Sequence, residues 1–74
     1  PKGAQDFLPA VLPKTKPGSV VHLYDFCHEE KLQERKEAIL QKITQLGYDA
    51  NISTIKAGQY APREYRYCHD LTLL

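Results

Sequence analysis

The 74-residue chain contains no methionine and no tryptophan, only two cysteines and only four glycines. Each scarcity excludes something. The absence of methionine, with Pro1 in first position, sets the expectation that the chain is a portion trimmed or excised from a longer product. Cys27 and Cys68 allow at most one bridge, whereas small secreted scaffolds usually carry four or more cysteines. The chain therefore reads as intracellular and cytoplasmic, with free thiols. The glycines, at positions 3, 18, 47 and 58, make neither the G-x-G-x-x-G nor the Walker spacing, so no loop of that kind is present to cradle a phosphate or a cofactor. No apolar run approaches the roughly 20 residues of a membrane span, and no signal-peptide pattern opens the chain. An excess of one charge is missing too. Ten Lys+Arg against nine Asp+Glu give a net charge of +1 and a pI near 8.3, which excludes a strongly basic nucleic-acid arm but leaves room for local basic patches.

What remains is an ordinary globular composition, 42% hydrophobic and 26% charged, which rules out a disordered tail. A chain this short buries roughly 60% of its unfolded surface, so an independent core is marginal. Ala4, Phe7, Leu8, Val11 and Leu12 follow helical spacing, with Pro9 either early in a short helix capped by Asp6 or kinking a longer one. Pro13 stops it, and residues 14–18 read as an exposed turn. Residues 19–26, SVVHLYDF, are β-branched and aromatic with little alternation, as in a strand covered on both faces. Asp25 or His28 can cap the helix that follows. In that helix Leu32, Ile39, Ile43 and Leu46 share a face with Leu40 at its margin, while Lys31, Glu34, Arg35, Lys42 and Gln45 are mostly solvated. Gly47 ends it.

Beyond Gly47 the period changes to two. Ala50, Ile52 and Thr54 mark a short strand of about five residues, and positions 58–62 read as a loop. Tyr65, Tyr67, His69, Leu71 and Leu73 then alternate with their neighbours along a final strand that pairs antiparallel. A helix joining two strands makes a crossover, so the first two strands should be parallel and the last should oppose them. The fold class is α/β, ordered helix, strand, helix, strand, strand. The edge of the 20–26 strand is left open.

The two Cys-His dipeptides, Cys27-His28 and Cys68-His69, with His22 as a further nitrogen, raise the question of zinc. Neighbours on a strand point to opposite faces, and the spacing matches no zinc ribbon or finger, so the expectation is ordinary packing and no metal. A nucleophilic Cys-His pair lacks a third orienting group. The stretch Lys56-Ala57-Gly58-Gln59-Tyr60-Ala61-Pro62-Arg63-Glu64-Tyr65-Arg66-Tyr67 interleaves cations with aromatics, the mixture that stacks bases and neutralises phosphates. Half-buried tyrosines beside a loop would give the same pattern.

VVHLYDF, an amphipathic helix ending in glycine, and then IKAGQYAPREYRYCHDLTL resemble the C-terminal end of the archaeal and eukaryotic type tRNA guanosine-37 N1-methyltransferases. The related transferase of wybutosine synthesis shares that pattern. Pro1 to Leu8 look like residues following the N-L of the family's N-L-P motif. The resemblance covers nearly the whole chain but only the last third of such an enzyme. It implies a single fragment, residues 1–74, of the catalytic domain with the class I, Rossmann-like methyltransferase fold, whose sheet ends with an antiparallel strand inserted beside the fifth.

The same resemblance implies S-adenosylmethionine as cofactor, bound upstream of Pro1, and tRNA as substrate, with the guanine drawn out of its stack. The catalytic carboxylate would also lie upstream, so the isolated chain is expected to be inactive. Pro1, Tyr60, Pro62 and Arg63 are the implied substrate contacts, and Lys56, Arg63 and Arg66 the implied nucleic-acid contacts. Gly58 departs from the family's habit of a basic residue two positions before the aromatic, and Glu64 weakens the field of Arg63. The implied partners are tRNA and the N-terminal remainder of the same enzyme, with self-association of the fragment through its open edge. Alternatives are the aminocarboxypropyl-transferring relative and, from a different class, a stand-alone strand-pairing interaction module.

Overall fold

The protein is described by a computed structural model covering residues 4–74; Pro1 lies outside the described residues. The amino-terminal segment is a 3-10 turn at Ala4–Phe7, a single α turn at Leu8–Val11 (α1) and a second 3-10 turn at Leu12–Lys14. Where a short helix or a longer, kinked one was expected, the segment is three successive turns. Pro9 and Pro13 explain this: each removes an amide donor, and each ring crowds the carbonyl four residues before it. The spacing of the buried face survives the break. Ala4, Leu8 and Leu12 are buried, while Phe7 faces outward.

Strand β1 (Val20–His28) alternates more strictly than its sequence implies. Leu23, Asp25 and Cys27 are buried, whereas Val20, His22, Tyr24 and Phe26 are exposed. The expectation of a strand covered on both faces is corrected, because among the described residues nothing packs over the second face. Of the two capping candidates, His28 takes the role: its Nδ1 accepts from the amide of Glu30 at 3.2 Å. Asp25 is turned inward, where it receives two hydrogen bonds from Arg35, Nε to Oδ2 at 2.8 Å and Nη2 to Oδ1 at 2.7 Å. Arg35 is therefore partnered, where solvation was expected.

A 3-10 turn at Glu29–Lys31 leads into α2 (Leu32–Gln45), which buries Ile39 and Ile43, one turn apart, with Leu40 and Leu46 half-buried beside them. Gly47 ends the helix with φ +88°. Its amide bonds the Thr44 carbonyl and the Tyr48 amide bonds that of Ile43, the paired closure that glycine's left-handed freedom permits.

β2 runs over Ala50–Ala61 and β3 over Glu64–Leu73. The five-residue strand and the loop at 58–62 are both corrected here. The strand continues through Gly58 and Gln59 with register irregularities at Lys56/Gly58 and Gln59/Ala61, and only Pro62 and Arg63 turn. Bulges let a strand absorb glycine without ending its pairing. Arg63 adopts φ +60°, and its carbonyl accepts from the Glu29 amide at 2.8 Å, which ties the turn to the start of the helical segment.

The sheet order is β1-β3-β2, with β3 antiparallel to both neighbours. β1 and β2 are consequently parallel to each other, as the intervening helix demands, but the last strand lies between them. Ala4, Leu8, Leu12, Leu23, Ile39, Ile43, Leu71 and Leu73 form the core between the helical segments and one face of the sheet. The outer edge of β1 has no partner strand among the described residues. Among them, too, no helix is long and apolar enough to cross a membrane.

Candidate functional site

The uncovered face of the sheet gathers most of the chemistry. Directly opposed residues of an antiparallel pair share a face. The register therefore lines up His22 with Asp70, Tyr24 with Cys68 and Phe26 with Arg66, and extends these rows onto β2 through Ser53, Ile55 and Gly58. Tyr24, Phe26, Ile55 and Tyr60 are all more than half exposed on the molecule. Phe26 and Tyr60 meet edge to face with ring centroids 5.7 Å apart. The Arg66 guanidinium lies 5.6 Å from the Tyr24 ring centre and donates to the Ala57 carbonyl at 3.0 Å. Phe26, Gly58, Gln59, Tyr60 and Arg66 line a shallow cavity of about 170 Å³. An aromatic edge beside a guanidinium can stack a planar base and neutralise a phosphate.

Of the residues singled out in the sequence, the fold brings Tyr60 and Arg66 together and separates the rest. Lys56 opposes Tyr67, which is buried toward the helices, so the strand period sends Lys56 to the face opposite Arg66; its ammonium sits 4.0 Å from the centre of the Tyr65 ring. Pro62 and Arg63 occupy the hairpin turn. Arg63 is held by Glu29 at 3.5 Å and Glu30 at 3.8 Å, two carboxylates that offset its charge, in addition to the neighbouring Glu64. The interleaving of cations and aromatics is thus divided between two faces and a turn.

The cysteines likewise part company. Cys27 faces the helices and Cys68 the open side, and both are free. Burial raises the thiol pKa of each; for Cys68 the neighbouring Asp70 adds to the rise. Cys68 and His69 point to opposite faces, as strand geometry requires. His69 is fully buried, hydrogen-bonded through Nδ1 to the Thr54 hydroxyl at 2.8 Å, and its burial depresses its pKa. Sequence reasoning missed two arrangements. The Asp25–Arg35 pair had a signal, an acid in an apolar strand ten residues before a cation. The His22–Asp70 pair had none, since its members are 48 residues apart and meet only through strand register.

The described residues do not supply a cradle for S-adenosylmethionine. The strand-to-helix junction after β1 carries Glu29 and Glu30, which repel an anionic group from that helix start, and the described glycines sit at a turn, a helix end and a strand.

No family model matches the chain. Among solved structures it is similar to Trm5b from Pyrococcus abyssi, a tRNA methyltransferase, with 27% sequence identity and a TM-score of 0.81 over 99% of this chain. The chain spans 23% of the length of that structure. The three-stranded sheet and its helices thus match a portion of a Trm5 methyltransferase fold. The likeness supports kinship with the enzyme class that the sequence resembles.

Proposed function

We propose that the chain is the C-terminal part of the catalytic domain of an S-adenosylmethionine-dependent tRNA guanine-N1 methyltransferase. The observation that carries this reading is the likeness to Trm5b over 99% of this chain, including its three-stranded sheet with β3 in the middle. On this reading the cofactor cradle and the catalytic carboxylate belong to sequence preceding Pro1, and the unpaired edge of β1 receives the preceding strand of the sheet. Tyr60, Pro62 and Arg63 at the hairpin end, with Arg66 on the open face, are the substrate-side contacts; Lys56 and Pro1 complete the proposed set. Tyr60 and Arg66 are best suited to a nucleotide, because they line one cavity.

The test is methyl transfer from labelled S-adenosylmethionine to unmodified tRNA by the protein expressed at its natural length, followed by mass mapping of the product nucleoside. The expected product is guanosine heavier by one methyl group at N1. A gain of an aminocarboxypropyl group instead would assign the chain to the wybutosine-synthesis relative. No modification of tRNA by a folded, cofactor-binding protein would sink the reading.

A further inference from the structure

We infer that His22, Cys68 and Asp70 form a divalent transition-metal site, suited to zinc, on the open face of the sheet. The expectation of no metal rested on the two Cys-His dipeptides, whose members the strand period drives apart. The fold assembles a different set of ligands. Cys68 and Asp70 are two apart on β3 and so share a face, and the β1–β3 register brings His22 directly opposite Asp70. His22 Nδ1 lies 2.5 Å from Asp70 Oδ1, and Cys68 Sγ lies 3.4 Å from the same oxygen. The three ligand atoms all fall within 4.8 Å of one another. A tetrahedral ion with metal–sulfur bonds of about 2.3 Å and metal–nitrogen or –oxygen bonds of about 2.0–2.2 Å needs ligand atoms about 3.3–3.7 Å apart. The Cys68–Asp70 separation already has that spacing, and the hydrogen-bonded His22–Asp70 pair must widen by about 0.8 Å or more as an ion takes the place of the proton between them. His22 has 62% of its side chain exposed, so its ring is free to make the remaining adjustment.

The donor types narrow the ion. One thiolate, one imidazole and one carboxylate suit zinc, whereas magnesium and calcium ask for an all-oxygen shell. Three protein ligands on an open face leave the fourth position to water. Binding is balanced by protons: the metal replaces the proton of the Cys68 thiol, which leaves to solvent, and takes His22 Nδ1 as the neutral ring shifts its own proton to Nε2. Burial and the neighbouring Asp70 disfavour the Cys68 thiolate, and the nearby Tyr24 and Arg66 partly offset them. Metal affinity therefore weakens on acidification, as ligand deprotonation requires. These residues take no part in the proposed substrate contacts, so the inference stands or falls separately from the methyltransferase reading.

The test titrates Co²⁺, a spectroscopic substitute for zinc, into the reduced protein expressed at its natural length. One equivalent is expected to bind with a thiolate-to-cobalt charge-transfer band and tetrahedral d–d absorption, both abolished by added Zn²⁺. Cys68→Ser should remove the charge-transfer band, and His22→Ala and Asp70→Asn should each weaken binding by about tenfold or more. Cys27→Ser, on the other side of the sheet, should leave the spectrum unchanged. Far-UV circular dichroism checks that each variant is folded, and the conservative Asp70→Asn keeps the question open to test if the others are not. Absence of saturable binding overturns the inference, as does a charge-transfer band that survives Cys68→Ser.

Discussion

The two faces of the sheet differ in what they are built to hold. The helix-covered face is a continuous aliphatic layer in which Leu23, Leu71 and Leu73 meet Leu8, Leu12, Ile39 and Ile43. The open face carries aromatics, a guanidinium, a thiol, an imidazole and a carboxylate in register. The same three strands supply both, because successive residues alternate between them. A single residue's step along a strand thus separates the aliphatic layer from the exposed polar and aromatic groups.

Substitution tests that separation most forcefully. Ile39→Ala leaves a cavity where the helix meets the sheet and should cost about 2–5 kcal/mol, read as a lowered denaturation midpoint at unchanged m-value. Phe26→Ala on the open face should cost no more than about 1 kcal/mol. Equal losses from the two would break the comparison.

The next effect belongs to the ion pair between Arg35 and the buried Asp25 on the covered side. Asp25→Asn removes the charge that Arg35 grips through two bonds. Because Arg35 is about one-third exposed and can turn to water, the expected loss is about 1–3 kcal/mol, below that of a fully buried pair. A double variant with Arg35→Gln should recover part of it, which a thermal melt of the four members of the cycle would reveal.

The smallest effect is one of pH. Burial lowers the pKa of His69; Lys36 and Arg35 reinforce the depression and Asp25 opposes it. The unfolded imidazole, with a pKa of about 6.5, takes up its proton before the folded one does. Stability is thus full above about pH 6.5 and declines as the pH falls from there toward the depressed folded value. His69→Gln should flatten the melting temperature over that acidic range, and an unchanged slope would show that the covered face is not the source of the acid sensitivity.

Much of the covered face was legible in the sequence. Ile39, Ile43 and Gly47 announced a helix and its end, and the alternation from Tyr65 to Leu73 announced β3, because both patterns depend on near neighbours alone. The open face was not legible in the same way. VVHLYDF reads as doubly buried, since Tyr24 and Phe26 are as apolar as Leu23, and only the placement of the helices decides which side they cover. Gly58 and Pro62 read as a loop because glycine and proline punctuate local structure. Pairing with β3 carries the strand through Gly58 and confines the reversal to Pro62 and Arg63.

The sequence by itself determined the order of elements, the sense of the strands and the aliphatic residues of α2 and β3, all consequences of local period and chain connectivity. Only the tertiary structure decided that β3 lies between β1 and β2, that Arg66 and Lys56 part to opposite faces, and that His22 meets Asp70 and Cys68. The physical reason is register: shifting a strand by one residue exchanges its two faces, and that choice is made by long-range pairing and burial.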